Sequence, residues 1–317
     1  MGWQKINLQK YIAEIKRNMN LDVSDEIVKK DLFLTFILAE FEKHKLGDEL
    51  IFKGGTLLSR NYLKYHRFSE DLDFVHKNSN ELRKLPRKQR ERKIKEFIDK
   101  FVPKLKKVTD ALDLDFSIDR SNTKYCTIIR KRAVYIFRLY YEENNYIKIE
   151  INFVEEMLNK PKEISVKTIT DFFDSQKLLF DLNLSYENFN VLSYLIEEIV
   201  LEKYRALLTR PRLMERDLFD LFLIKDSLKV NIEEVVDKIN GSSLIKRDLD
   251  KLIKNNLEKL KNDEYFKSEE KVNDLAIIKY DEDGFEKFKK KIKPILINIC
   301  ELDSVKSTGD KIKTIRL

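Results

Sequence analysis

The chemistry of this chain begins at Asp71-Leu72-Asp73-Phe74, where two carboxylates alternate with two apolar residues. A strand repeats every two residues, so Asp71 and Asp73 share one face with side-chain origins ~6.6 Å apart, twice the rise per residue. Leu72 and Phe74 turn the other way, toward a core. Two carboxylates on one rigid strand suit a pair of Mg2+ ions, which take oxygen ligands and sit about 3.5–4 Å apart in two-metal sites.

Upstream stands Gly54-Gly55, two of only seven glycines in 317 residues. The pair follows the apolar run Leu50, Ile51, Phe52 and precedes Leu57, Leu58, Tyr62 and Leu63 at helical spacing, which predicts strand, tight turn, helix. Such a turn lets the backbone approach a phosphate, with N–H groups and the positive end of a helix dipole facing it. Each feature alone has a plainer explanation. A glycine pair makes ordinary turns, and Asp-x-Asp suits a solvated strand edge. Together, in this order, they point to a site for phosphate and metal.

Other elements must hold that site in place. Residues 5–17 predict a short amphipathic helix. Ser24 to Lys43 predict a longer one, with Ser24 as cap, Asp25 and Glu26 in the first turn and Gly47 past the end. Its apolar side (Leu32, Phe33, Phe36, Ile37, Leu38, Phe41) belongs in the core. Residues 82–108 predict one helix with a basic face: Arg83 to Lys107 hold twelve Lys and Arg against three acids. That face suits either solvent or an RNA backbone.

Residues 113–153 alternate and are rich in Ile, Val, Tyr and Phe, so LDFSI, YCTIIR, AVYIFRLYY and YIKIEINFV read as strands. In the last of these, Lys148, Glu150 and Asn152 share one face. From Thr168 the pattern turns helical nearly to the end. NVLSYLIEEIVLEKYRALLTR and PRLMERDLFDLFLI form two helices divided at Pro211, a residue suited to a helix start. Lys203, Arg205 and Arg210 fall near the end of the first helix. Asp217 and Asp220 lie on one side of the second, where an inter-helix salt-bridge network is the plain alternative to chemistry. Pro294 would kink or restart the final helix, and the tail DSVKSTGDKIKTIRL is polar.

The run GGT followed by SEDLDF resembles the signature of DNA polymerase β-type nucleotidyltransferases. More narrowly, FKGGTLLSR with RFSEDLDF is similar to the AbiEii/AbiGii abortive-infection toxins, although the spacer from Thr56 to Glu70 is a little longer than usual in the superfamily. A second stretch resembles the later motifs of these toxins at Glu202, Lys203, Ala206, Leu207, Arg210, Arg216, Asp217, Asp220 and Leu221. The pattern expects a basic residue where Met214 stands. The resemblance covers roughly residues 30–225.

That resemblance implies an α/β (α+β) fold: a polymerase β-like core with a mixed sheet at 1–165, N-terminal helices included, and a helical C-terminal domain at 166–317, with the active site in a cleft between them. It implies an enzyme that transfers a nucleoside monophosphate from an NTP to RNA, such as a tRNA 3′ end, and releases pyrophosphate. Asp71, Asp73 and Glu150 would hold two Mg2+ ions; Glu150 occupies the strand position of the superfamily's third carboxylate, and the plain alternative pairs it with Lys148 or Arg138. Gly54, Gly55 and Thr56 would cradle the β,γ-phosphates, with Lys53, Ser69 and Arg210 in the nucleotide-binding set. Lys203 would stabilise the leaving group, Asp217 would orient Lys203 or the ribose, and Asp220 would anchor Arg216 or Arg210. A toxin of this kind has a cognate antitoxin.

Composition narrows the field. The 42% hydrophobic content supports a real core, 37% charged residues a soluble surface, and a net charge of +7 an anionic partner. No stretch reaches the length of a membrane span and the N-terminus lacks a signal-peptide core, so the expected location is the cytoplasm. Two distant cysteines and three histidines argue against a disulfide framework or a His/Cys metal site. A kinase would need a lysine after the glycines, whereas Lys53 precedes them. Two alternatives remain: a small-molecule nucleotidyltransferase of the antibiotic-modifying kind, and a non-catalytic RNA- or protein-binding module, against which the presence of both aspartates argues.

Overall fold

Apolar alternation makes the strands, and a few capping residues and prolines set the helix ends. In the computed structural model, which describes residues 7–129, 133–181, 189–227, 230–241, 246–267, 272 and 276–305, the chain runs α1 (Leu8–Met19), α2 (Asp25–Lys43), β1 (Leu50–Lys53), α3 (Gly54–Leu57), β2 (Asp71–His76), α4 (Ser79–Lys84), α5 (Arg87–Ala111), β3 (Cys126–Ile129), β4 (Val134–Tyr140), β5 (Tyr146–Asn152), β6 (Lys162–Ser165), α6 (Gln176–Asp181), β7 (Asn190–Ser193), α7 (Ile196–Thr209), α8 (Glu215–Ile224), α9 (Ile232–Asn240), α10 (Lys246–Lys261) and α11 (Glu282–Val305). The fold is mixed α/β. It divides after Val154, Lys160 and Tyr194, so that Glu155–Lys160 belongs with the helices from Leu195 onward and the remainder forms a sheet unit.

The sheet unit has one seven-stranded sheet, in the order β3-β4-β5-β2-β1-β7-β6. β1 and β2 pair antiparallel, β2 and β5 parallel, β1 and β7 parallel. Along β2 the burial alternates: Asp71 and Asp73 are half-exposed while Leu72 and Phe74 are buried. Phe74 stacks on Phe41 of α2 at 5.6 Å between ring centroids, and Phe41 meets Phe101 of α5 edge-on. The apolar side of β2 therefore faces α2 and α5. Burying each such side chain contributes about 1.5–3 kcal/mol, and a one-residue slip would put Asp71 and Asp73 into that core. The register is fixed by this packing.

α2 begins as its sequence predicts, with Ser24 Oγ accepting from the Ile27 N–H. Other boundaries move. The basic stretch is two helices, because Pro86 cannot continue α4 and instead caps α5. LDFSI contributes a single bridge, Asp115 to Tyr140, in place of a strand. NVLS is not helical: it forms β7 on the edge of β1, with Phe52 opposite Ser193. This pairing carries the sheet unit to Tyr194, beyond the boundary expected at 165/166. Pro211 starts no helix; α8 opens at Glu215. α11 runs through Pro294. Cys126 and Cys300 are buried and not joined in a disulfide. Residues 306–317, most of the polar tail, lie outside the described residues.

In the helical unit, Glu198 of α7 is fully buried and accepts hydrogen bonds from the Leu158 N–H (3.2 Å), the Asn159 N–H (2.8 Å) and Asn159 Nδ2 (3.0 Å). Lys238 Nζ of α9 lies 2.6 Å from Glu198 and 3.1 Å from Glu202, with Glu155 at 3.5 Å. This buried network fastens the segment 155–160 to α7 and α9. Among the described residues, no helix is long and apolar enough to cross a membrane.

Candidate active site

The site forms where β1 ends. Lys53, the last residue of β1, stands opposite Asp73 in the hairpin, and the chain then turns at Gly54 with φ +82°. A Cβ on Gly54 would sit 2.3 Å from Asp73 Oδ2. Only glycine permits both the left-handed backbone and this approach. The turn opens directly into α3, where the N-cap Lys53 supplies no side-chain capping bond. The Thr56 hydroxyl donates to the Asp71 carbonyl oxygen at 2.5 Å and ties the turn to the acidic strand; what Thr56 offers a phosphate is its backbone N–H.

On the far side of β2, β5 brings Glu150 opposite Asp73 and Lys148 opposite Asp71. Period two places all four side chains on one face. Lys148 Nζ is 2.8 Å from Asp71 Oδ2 and 3.9 Å from Glu150 Oε2. Burial, with Asp73 adding, lifts the Asp71 carboxyl above the usual carboxylate range against the pull of Lys148. Beneath Gly55, a Cβ would fall 2.8 Å from Arg67 Nη2 and 3.0 Å from Ser69 Oγ. Arg67 is buried and donates through Nη1 to the Phe68 carbonyl oxygen. The structure thus assembles Lys53, Gly54, Gly55, Thr56, Ser69, Asp71, Asp73 and Glu150 in one unit.

The remaining sequence candidates gather in the helical unit. Lys203 Nζ lies 2.6 Å from both Asp217 Oδ1 and Asp220 Oδ2, and Arg210 Nη1 pairs with Asp217. Asp220 therefore holds Lys203, in addition to any part it plays for the arginines. Burial alone would raise the Asp217 pKa, but Lys203 and Arg210 outweigh it and hold the carboxyl below its ordinary value.

Two residues escaped the sequence reading. Lys148 was legible only as a possible partner of Glu150, although the strand period puts it on the acidic face. Arg67 gives no local signal: its closeness to Gly55 follows from the loop's tertiary path.

The oxygen set of Asp71, Asp73 and Glu150 fits a hard divalent cation. Among the described residues no group of three or more His, Cys, Asp and Glu side chains is placed so as to hold a metal ion by itself. Mg2+ does not need such a group, since it keeps waters and takes one or two carboxylates plus substrate phosphates. A turn that admits phosphate next to such oxygens is what an enzyme moving a nucleotide off its triphosphate needs, as nucleotidyltransferases do. Over residues 37–298 the chain matches the family model for the nucleotidyl transferase AbiEii toxin of type IV toxin–antitoxin systems, and it belongs to that family. The match reaches further toward the C-terminus than the motifs do. Among solved structures the chain is similar to MenT4, a nucleotidyltransferase toxin from Mycobacterium tuberculosis H37Rv, with 15% identity, a TM-score of 0.47, and coverage of 92% of this chain and 98% of that one. No curated protein matches.

Proposed function

We propose that this nucleotidyltransferase transfers a nucleoside monophosphate from an NTP to a hydroxyl of RNA, such as a tRNA 3′ end, and that the transfer is its toxic act. The observation that carries the reading is the abutment of the Gly54 turn on Asp73, with Glu150 opposite. The acceptor oxygen attacks the α-phosphorus, the bond to the β-phosphate bridging oxygen breaks, and pyrophosphate leaves. Asp71, Asp73 and Glu150 would hold two Mg2+ ions, which when bound neutralise charge on the triphosphate and acidify the acceptor hydroxyl. Glu150 completes this ligand set or receives the hydroxyl proton.

Gly54, Gly55 and the Thr56 N–H cradle the β,γ-phosphates, and Ser69 and Lys53 flank them. Lys203, held ready by Asp217 and Asp220, stabilises the departing pyrophosphate, and Arg210 belongs to the same nucleotide-binding set. A cognate antitoxin restrains the enzyme, which works in the cytoplasm. The direct test incubates purified protein with total RNA, Mg2+ and each labelled NTP in turn. Label in RNA is expected with at least one nucleotide. Label that enters only small molecules would favour the antibiotic-modifying reading, and no label at all would favour a binding module.

The exposed residues of α5 support an RNA acceptor. Lys88, Lys93 and Lys95 project to solvent, while Arg87 shares its charge with Glu91 at 2.8 Å. Arg90 donates to the Leu85 carbonyl oxygen and is best left in place. Changing Arg87, Lys88 and Lys93 to Gln should weaken RNA binding and reduce the slope of log affinity against log salt by about one for each phosphate no longer neutralised. Filter binding across a salt series checks this; an unchanged slope would leave the face to solvent.

A further inference from the structure

The acidic face carries its own cation. Lys148 is placed by the pairing of β5 with β2, directly opposite Asp71, and its ammonium lies within 2.8 Å of Asp71 and 3.9 Å of Glu150. Its neighbour across β4, Arg138, is turned to the Thr127 hydroxyl at 2.9 Å. At these distances the ammonium neutralises part of the carboxylate cluster.

We propose that Lys148 is a resident counter-ion that makes metal entry conditional on nucleotide. This rests on the reading that Asp71, Asp73 and Glu150 form the metal site. The ammonium and a divalent ion compete for the same Asp71 oxygen, and they repel each other across a few ångströms. Without nucleotide, Lys148 has no better partner and stays. A triphosphate supplies one: the flexible four-carbon stem lets the ammonium leave Asp71 for a phosphate oxygen. A single divalent ion is already enough to balance three carboxylates and one ammonium, so a second ion needs the charge that the nucleotide brings. Lys148 thereby keeps the enzyme from holding a full metal set until its substrate arrives.

The test reads metal binding directly. Mn2+ is titrated into the full-length protein and free Mn2+ followed by electron paramagnetic resonance, with and without the α,β-methylene analogue of the labelling NTP, the nucleotide's own chelation subtracted. Wild type should bind Mn2+ weakly alone and more tightly with the analogue. K148M should bind Mn2+ alone at least about tenfold more tightly than wild type, the effect of removing one close like charge, and should gain less from the analogue. K148Q carries the same expectation and guards against misfolding of K148M. K148R, which keeps the charge, should behave as wild type. Apo K148M and K148Q that bind Mn2+ no better than wild type would overturn the proposal. If D73N binds Mn2+ with the analogue as well as wild type does, the metal site itself is misassigned and the role of Lys148 falls with it. Binding lost in D73N but unaltered in the Lys148 variants would remove Lys148 alone.

Discussion

Asp73→Asn is expected to cut nucleotide transfer by about a thousandfold or more, equivalent to about 4 kcal/mol of transition-state stabilisation, while changing the stability of the protein little. The two halves of this expectation come from one arrangement. Asp73 faces Glu150 across neighbouring strands, and like charges directly opposite are destabilising. It is half-exposed, and the core side of β2 belongs to Leu72 and Phe74. Removing the charge relieves repulsion from Glu150, gives up attraction to Lys148 and leaves the packing untouched. The same charge lies against the Gly54 turn, where the phosphates would sit. Label incorporation measured beside thermal melting decides the matter. Lost activity with an undiminished melting temperature supports a catalytic carboxylate; lost stability would mark Asp73 as a structural residue, and retained labelling would remove the metal-site assignment.

Lys238→Ala should be the most damaging single change in the helical unit, at about 3–5 kcal/mol. The side chain is completely buried, and its ammonium answers Glu198 and Glu202 with Glu155 close by. Truncating it leaves Glu198 charged and out of reach of water, with only the amide donors of Leu158 and Asn159 to offset that. Desolvation is costly, and those donors are already in use. Lys238→Met combined with Glu198→Gln should recover much of the loss, because a buried pair removed together costs far less than one partner removed alone. Urea titration followed by circular dichroism is the measurement. With two units the unfolding need not be a single step, so the shift belongs to whichever transition reports the helices. A change below about 1 kcal/mol would mean that solvent reaches Lys238 readily.

The site was legible in the sequence wherever its parts are local. Period two put Asp71 and Asp73 on one face, the glycine pair announced the turn, and the family resemblance picked Glu150 out of the three polar residues that share its strand face. Hydrophobic alternation carried β4 and β5. What the sequence hid was long-range. NVLS is too short and too close to a helical run to declare itself, and becomes a strand only because β1 has an open edge for it. LDFSI alternates well but finds only Tyr140 to bridge. The departure of Glu155–Lys160 from the sheet depends on Glu198 and Lys238, about forty and eighty residues away. Arg67 reaches Gly55 by a path through two left-handed residues, Lys64 and Tyr65, which no periodicity predicts.

The opposition of Lys53 to Asp73 has a consequence for how this enzyme can vary. Phosphate turn and acid are set by neighbouring rungs of a single hairpin ladder, so the distance between them is independent of how many residues join them. The intervening chain is free to lengthen like slack in a rope whose two ends are knotted to one post. Residues added at exposed Lys64, ahead of the buried run from Tyr65 to Phe68, would leave the pairing of Lys53 with Asp73 intact and would be felt instead in the path that brings Arg67 to Gly55.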